Sequence, residues 1–120
     1  MPAPKPLHLA IVGPCGAGKS TLAAALRARG YAVREIAQEH SFVPGLWRHF
    51  RRPDVLIYLD AGYETCTRRK RLDWLPHEHD EQRRRLAHAR RHCDVYVDTD
   101  PLTPDQVLSR VLKALAQPEV

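Results

Sequence analysis

The sequence predicts an α/β fold, a compact three-layer arrangement of about four mainly parallel strands with helices on both faces. Short apolar runs at 7–12 and 55–59 have the length of buried strands. Helical patterns separate such runs, and this alternation is typical of a parallel sheet with helical crossovers. The chain has 120 residues, of which 43% are hydrophobic and 28% charged, and these values indicate one globular domain with one core.

Each element has its own sequence signal. The helix after the first strand has Gly30 as its predicted C-terminal stop, and the second strand is less apolar, which indicates a position nearer an edge. Residues 41–53, interrupted by Pro44, form the least regular segment, and residues 1–6 form a flexible leader. The predicted strands are 7–12, 31–37, 55–59 and 94–98, and the predicted helices are 19–29, 62–72, 80–92 and a last one that starts at 104.

The last helix has the clearest start. Thr103 has the N-cap position, Pro104 the first helical position, and Gln106 completes the pattern of a capping box. Apolar residues at helical spacing then predict a stripe that faces the sheet. This stripe consists of Val107, Leu108, Val111, Leu112 and Leu115.

Charge and cysteine content narrow the classes of partner. The net charge of +5 favours anionic partners, from nucleotides and phosphorylated metabolites to nucleic acid. The basic runs lack the interleaved aromatic residues of a stacking platform, so we expect no nucleic acid partner. Three cysteines without a C-x-x-C pair indicate reduced thiols in a cytoplasmic protein, and no run of residues predicts a signal peptide or membrane span.

The segment 13–21 reads GPCGAGKST, a full match to the phosphate-binding loop pattern G-x-x-x-x-G-K-[ST]. Glycine has no Cβ, so the backbone can approach a polyphosphate closely, and the following helix directs its positive end at the same phosphates. The preceding apolar strand and the following helix supply the context that this motif requires. The residues predicted to hold ATP are Gly13, Pro14, Cys15, Gly16, Ala17, Gly18, Lys19, Ser20 and Thr21.

The order of these features resembles the P-loop nucleotide and small-molecule kinases, and the thymidylate-kinase-like branch in particular. The resemblance rests on the phosphate loop, the PDVLIYLD strand, an arginine-rich segment, the VYVDTD strand and the capped last helix. It implies a P-loop NTPase fold, Mg²⁺ and ATP as cofactors, and a lid at 77–92. Only residues 38–53 fill the place where these kinases carry a longer acceptor-binding insertion, so the acceptor region is shortened.

Acidic residues near the ends of the predicted strands are candidates for metal binding and catalysis. Phosphoryl transfer needs Mg²⁺, an acidic residue near the metal or nucleophile, and cations around the moving group. We expect Lys19 to contact the β- and γ-phosphates and Ser20 to bind Mg²⁺. Glu39, just after the second strand, is the first acidic candidate, both as metal ligand and in catalysis, with a solvated turn as the alternative. Asp60 is the second, with helix capping as its alternative role.

The arginines lie in the runs 68–71, 83–85 and 90–91, and most are expected on solvated helix faces. Arginine binds phosphate oxygens bidentately and keeps its charge when desolvated, which favours a role for a few of them at the transferred phosphoryl group. Arg68, Arg71 and Arg84 are the candidates. The segment 80–92 has few apolar residues, and it is therefore predicted to be a surface helix or a mobile flap.

Other groups carry weaker signals. Phe42, Leu46, Trp47 and Phe50 have alternative roles as the wall of an acceptor pocket, as core, or as the contact of a homodimer. Metals other than Mg²⁺ are not expected, since no further ligand joins His88, His92 and Cys93 at a recognisable spacing.

Together these features predict a kinase that transfers a phosphoryl group from ATP to a small acceptor, nucleotide-like or another metabolite. The alternative is a nucleotide-binding regulatory module, or a slow ATPase that acts on a protein partner. In that alternative, the shortened acceptor region would expose an interface patch around Trp47.

Overall fold

Four strands form one sheet in the computed structural model, which describes residues 7–49, 51–70 and 73–116. All three strand pairs are parallel, and the spatial order is β2-β1-β3-β4 when the strands are numbered along the chain. The predicted number and direction of the strands are therefore confirmed, and the less apolar second strand lies at an edge. The strands are β1 (His8–Val12), β2 (Ala32–Glu35), β3 (Val55–Asp60) and β4 (Val95–Asp98).

Four helices and two short 3-10 turns connect the strands. The first helix ends two residues earlier than predicted, and Gly30, with a φ of +91°, closes the turn behind it. The predicted helix at 62–72 is described from 63 to 70, and its last two residues lie outside the described part of the chain. The helices are α1 (Lys19–Arg27), α2 (Tyr63–Lys70), α3 (Pro76–His92) and α4 (Pro104–Ala116), and the 3-10 turns are Gln38–His40 and Leu46–Arg48.

The alternation of side chains along β1 and β3 separates two apolar clusters, one on each face of the sheet. Leu9, Ile11, Ile57 and Leu59 face a cluster to which α1 and α4 contribute. Ala10, Val12, Leu56 and Tyr58 face the opposite cluster, with Trp47 and the apolar residues of α3. The sheet is therefore flanked by helices on both faces.

The start of α4 agrees with the prediction. The backbone N–H of Thr103 donates to Gln106 Oε1 at 2.9 Å, and the N–H of Gln106 donates to Thr103 Oγ1 at 3.3 Å. These two reciprocal bonds are the capping box. Val107 and Val111 are buried on the sheet, with the other three residues of the predicted stripe packed beside them.

α3 differs from the prediction in its start and its burial. It begins at Pro76 rather than at residue 80, and His79, Gln82, Leu86 and Ala89 are buried. The spacing of three, four and three residues places these four side chains on one helix face. Two of them are polar and one is alanine, so the apolar pattern of the sequence did not show this face. A helix packed in this way cannot open as a flap without exposing Leu86 to water.

The parallel arrangement brings the carboxyl ends of all four strands to one edge of the sheet. In the register of the sheet, Ile11 pairs with Glu35 and Ile57, and Asp60 pairs with Asp98. The loops that follow these residues therefore meet at this edge. None of the described helices has the length and apolar character required to cross a membrane.

Candidate functional site

The loop between β1 and α1 lies at this carboxyl edge, and its glycines meet steric demands that other residues would fail. Gly16 has a φ of +87°, and a Cβ there would lie 2.8 Å from the Cα of Cys66. A Cβ on Gly13 would lie 2.2 Å from the carbonyl oxygen of Leu59. Gly18, with a φ of +105°, precedes the first turn of α1. The loop is therefore held close to β3 and α2 by positions that require glycine.

Lys19 lies folded back over this loop. Its Nζ donates to the carbonyl oxygens of Gly13 at 2.7 Å and Pro14 at 3.2 Å, and to Glu39 Oε2 at 2.5 Å. The ion pair is largely shielded from solvent, which strengthens the attraction between the two charges. The structure thus brings together the two residues that the sequence identified as cation and acid of the site.

A cavity of about 570 Å³ opens at the loop and the N-terminus of α1. The first four N–H groups of a helix have no intrahelical acceptor, so α1 offers donors and the positive end of its dipole to this space. The opposite wall is formed by α2, by the segment after β4 and by the start of α4. The lining residues outside the loop and α1 are Glu39, Arg69, Lys70, Thr99, Leu102, Pro104 and Val107.

Glu39 is 3% exposed and has a free oxygen. While Oε2 accepts from Lys19, Oε1 is buried and has no hydrogen-bond partner among the described residues. The backbone carbonyl of Glu39 accepts from Arg85 Nη1 at 3.3 Å, which ties its 3-10 turn to α3. A buried carboxylate oxygen without a partner is costly, so it marks a place where a ligand would improve the local energy.

Ser20, predicted as a Mg²⁺ ligand, has a different acidic partner. Its hydroxyl donates to Glu35 Oε1 at 2.7 Å, at the carboxyl end of β2. Glu35 was not among the predicted site residues, because the predicted strand continued to residue 37 whereas β2 ends at Glu35. Ser20 and Glu39 were predicted to bind the same Mg²⁺. In the structure, Glu35 is the acidic partner of the Ser20 hydroxyl, and Glu39 is the partner of Lys19.

Arg69 is a second residue that sequence analysis did not select. Its guanidinium donates to Thr99 Oγ1 at 2.9 Å, to the Thr99 carbonyl at 2.6 Å and to the Gly16 carbonyl at 3.4 Å. Thr99 is buried, and its hydroxyl lies 2.9 Å from the carbonyl oxygen of Ala17. The two residues therefore fix the phosphate loop to α2 and to the end of β4, and Arg69 reaches the cavity in doing so.

Two of the predicted arginines, Arg84 and Arg68, lie away from this cavity. Arg84 is exposed, pairs with Glu81 on its own helix, and does not line the cavity at the phosphate loop. This contact lowers the pKa of Glu81, because the hydrogen bond from Arg84 favours the charged carboxylate. Arg68 is exposed on α2 and does not line this cavity either. Arg71 lies outside the described residues.

Asp60 faces α3 and β4 instead of the phosphate loop. Its Oδ2 accepts from Arg83 at 3.0 Å and from the Tyr96 hydroxyl at 2.6 Å, and Arg90 lies 3.9 Å away. Burial and the hydrogen bond to Asp60 raise the pKa of Tyr96 to about 12. Asp60 therefore connects the end of β3 to α3 and β4, whereas the alternative role expected for it was a cap on the helix that begins at Tyr63.

Of the apolar residues in the segment 42–50, Trp47 is buried in the core and Phe42 lies at the surface. Trp47 is 3% exposed, so the expectation of an interface patch around it is wrong. Its indole N–H donates to His88 Nδ1 at 3.1 Å on α3. Phe42 is 81% exposed and lies under the guanidinium of Arg85. Phe50 lies outside the described residues.

A second cavity of about 310 Å³ lies between residues 41–44 and α3. Arginine and histidine side chains of the helix give it a basic wall, and the segment 41–44 forms the other side. Arg84, one of the arginines predicted to act in catalysis, lies here. The lining residues are Ser41, Phe42, Pro44, Glu81, Arg84, Arg85, Ala87, His88 and Arg91.

Comparison of the chain with protein-family models gave no match, and a search of the curated proteins gave none either.

Proposed function

We propose that the chain is a P-loop kinase that binds ATP with Mg²⁺ and transfers the γ-phosphoryl group to a small acceptor. The observation that carries the proposal is the glycine loop at the N-terminus of α1, with Lys19 across it and a 570 Å³ cavity in front. The volume lies in the range of small-molecule sites, and the donors suit a polyphosphate. The thymidylate-kinase-like order of elements remains part of this proposal.

Ser20 and Glu35 are the residues that would hold Mg²⁺. Both are oxygen ligands of the kind that this cation prefers, and they already lie within hydrogen-bond distance of each other. Bound Mg²⁺ would neutralise charge on the β- and γ-phosphates. Glu39 then acts on the acceptor or on a metal-bound water, as the sequence predicted, while Ser20 keeps its predicted role.

Lys19 changes partner in the proposed reaction. In the described state it is bound to Glu39 and to two loop carbonyls, and the phosphates of ATP replace these contacts. Glu39 is then free to orient the acceptor hydroxyl and to take its proton. The acceptor oxygen bonds to the γ-phosphorus as the bond to the β–γ bridging oxygen breaks, and ADP leaves with that electron pair.

The acceptor is proposed to carry a negative group. The second cavity has a basic wall with Arg84 and Arg91, and Arg85 connects this wall to Glu39 through the Glu39 carbonyl. Guanidinium groups bind carboxylates and phosphates in two-point geometry. Arg84 thus acts, in this proposal, on the acceptor rather than on the transferred phosphoryl group.

The alternative function, a nucleotide-dependent regulatory module or slow ATPase, is favoured by a different observation. Phe42 and Val43 are 81% and 49% exposed beside the basic face of α3. Exposed apolar side chains bordered by charge are typical of protein contact sites. In this alternative, a protein partner covers Phe42 and the cavity beyond it, and no acceptor is phosphorylated.

Nucleotide binding is tested by thermal or chemical unfolding with and without Mg·ATP. At a hundredfold excess over the dissociation constant, ATP should stabilise the protein by about 2.7 kcal/mol. Lys19→Ala should keep the fold and lose most of this increase, because the phosphates lose their mobile cation. Lys113→Ala, an exposed lysine on α4, is the matched control and should keep it. An unchanged increase in Lys19→Ala would contradict the assignment of the phosphate site.

A screen for phosphoryl transfer distinguishes a kinase from an ATPase. Labelled ATP is incubated with panels of anionic and neutral hydroxyl compounds, and label in a product is compared with release of free phosphate. Transfer to an anionic compound above the rate of hydrolysis supports the kinase. Hydrolysis alone, raised by no compound, favours the regulatory alternative.

A further inference from the structure

Beside the phosphate loop, three side chains of the metal-binding kind converge. Cys15 lies in the loop, and Glu39 and His40 lie in the 3-10 turn after β2. Their ligand atoms all lie within 4.8 Å of one another, and they are the one such group of three among the described residues. From this geometry, we propose that Cys15, Glu39 and His40 form a binding site for Zn²⁺ or a similar transition-metal ion, separate from the Mg²⁺ site at Ser20.

The distances between the ligand atoms fit a tetrahedral ion. Zinc lies about 2.3 Å from a thiolate sulfur and about 2.0 Å from an imidazole nitrogen, so two ligands of one ion are separated by about 3.5 Å. Cys15 Sγ is 3.3 Å from His40 Nε2 and 3.8 Å from Glu39 Oε2. An ion between the three groups therefore needs only small side-chain movements.

A second observation points to a ligand at the same place. Glu39 is almost completely buried, yet its Oε1 has no hydrogen-bond partner in the described part of the chain. Oε2, the oxygen 3.8 Å from Cys15 Sγ, already accepts from Lys19, so a bound cation would share this carboxylate with the ammonium group. Gln82 holds the cysteine in position, since its Oε1 accepts from the Cys15 N–H at 3.0 Å and its Nε2 contacts Sγ at 3.5 Å. Such support from a neighbouring polar group is common at metal sites.

The ligand set selects the class of ion. A thiolate and an imidazole favour Zn²⁺, Co²⁺ or Ni²⁺ over Mg²⁺, which prefers oxygen ligands. Three protein ligands leave the fourth position of a tetrahedral ion to water. Binding converts the Cys15 thiol to a thiolate and releases its proton to solvent.

The positive charge of Lys19 should weaken binding of this ion, so a change at Lys19 tests the proposal through the metal affinity. Its ammonium group lies 2.5 Å from Glu39 Oε2, close enough to repel a second cation on the same carboxylate. Lys19→Ala should therefore bind the metal more tightly, by roughly tenfold or more. The same variant is expected to lose nucleotide binding. Failure of the kinase proposal and failure of the metal site are thus distinguishable in one protein.

The experiment is a titration with Co²⁺, followed through the thiolate-to-cobalt absorption band, and then displacement by Zn²⁺. We expect the band in the wild type, its loss in Cys15→Ser, and at least tenfold weaker binding in His40→Ala. Cys93→Ser and His77→Ala carry the same residue changes outside the group and should bind as the wild type does. Absence of the band, or its persistence in Cys15→Ser, would overturn the site.

A measurement on the wild type avoids any dependence on the folding of variants. The rate of thiol alkylation is followed by mass spectrometry for Cys15 and Cys93, which are both partly exposed. Zn²⁺ should slow alkylation of Cys15 and leave Cys93 unchanged. Equal protection of both cysteines, or of neither, would contradict the proposal.

Discussion

Glu35 and Glu39 lie four residues apart in the chain, yet each faces a different residue of the phosphate loop. Glu35 accepts from Ser20, and Glu39 accepts from Lys19. Their environments differ as well, since Glu35 is exposed and Glu39 is buried. The side chain with solvent access suits a hydrated Mg²⁺, whereas the buried one lines the cavity beside Lys19, where an acceptor hydroxyl would be oriented.

This difference predicts two distinct losses in the proposed kinase. Glu39→Gln should leave ATP binding nearly intact and lower turnover by about 100-fold or more, the usual scale for a positioned acid–base group. Glu35→Gln should instead raise the Mg²⁺ concentration needed for half-maximal turnover. Both are measured by steady-state kinetics at several Mg²⁺ concentrations.

Glu64→Gln, a change on the exposed first turn of α2, is the control and should match the wild type in both measurements. Wild-type turnover in Glu39→Gln would remove this residue from the reaction. A changed Mg²⁺ requirement in Glu39→Gln but not in Glu35→Gln would exchange the two roles.

At the residue scale, the sequence predicts what a motif encodes and misses what the fold brings together. The phosphate loop is continuous, so each of its residues had a role assigned by position. Arg69 contacts Thr99, which is 30 positions away, and Glu35 at the end of β2 contacts Ser20 in the first turn of α1. Neither contact can be recognised from the sequence alone, because several other arginines and acidic residues have similar neighbours along the chain.

At the scale of elements, α3 packs on one face of the sheet and contributes to the core, unlike a mobile flap. Leu86 is completely buried against Ala10, Val12 and the rest of the second apolar cluster. Leu86→Ala should therefore lower the free energy of unfolding by about 2–5 kcal/mol. Leu75→Ala, a residue 59% exposed at the start of the same helix, should change it by less than about 0.5 kcal/mol. Denaturant unfolding measures both, and a small effect of Leu86→Ala would restore the interpretation of α3 as a flap.

The contact between α3 and the turn Leu46–Arg48 should depend on pH. His88 Nδ1 accepts the indole N–H of Trp47, which requires this nitrogen to be unprotonated. Burial lowers the pKa of His88 below its usual 6.5, and the positive charges of His92, Arg48 and Arg91 act in the same direction. A lowered folded-state pKa means that the unfolded chain takes up the proton first as pH falls. This contribution to stability is therefore complete above pH 6.5 and declines below it.

The measurement is the free energy of unfolding between pH 8 and pH 5. The wild type should lose stability across the lower part of this range, and His88→Gln should lose less, because it has no proton to take up at this position. His77→Gln, on the exposed face of the same helix, should follow the wild type. Parallel pH curves for wild type and His88→Gln would show that the Trp47 contact does not depend on the charge of His88.

At the scale of the whole molecule, the sequence was sufficient to predict four parallel strands and a glycine-containing loop between the first strand and the first helix. Four runs of strand residues separated by helical patterns allow few arrangements, since crossovers between parallel strands have one hand. The burial of α3 could not be predicted from apolar spacing, because two residues of its buried face, His79 and Gln82, are polar. His79 Nε2 lies 2.9 Å from the carbonyl oxygen of Ala61, and Gln82 holds Cys15. Such burial depends on partners that only the folded chain supplies.

The two ends of the sheet should respond differently to nucleotide. At the carboxyl edge, the loop 13–21, the turn at 38–40 and the segment 99–104 surround the proposed phosphate site. At the opposite edge, His8 and Asp54 exchange two hydrogen bonds far from it along the strands. Mg·ATP should therefore slow amide hydrogen exchange in the three carboxyl-edge segments and leave residues 7–9 and 54–56 unchanged.

In the same experiment, hydrogen exchange of the α3 amides distinguishes a local response to nucleotide from the closing of a lid. Because its buried face packs on the sheet, its amides should already exchange slowly without nucleotide, and ATP should alter them mainly near Gln82. The N–H of Cys15, held by Gln82, is one of the loop donors that phosphates attract, so this contact is the path by which binding reaches the helix. Fast exchange along the whole of α3 that ceases only with ATP would contradict this account and support the lid that the arginine-rich sequence suggested.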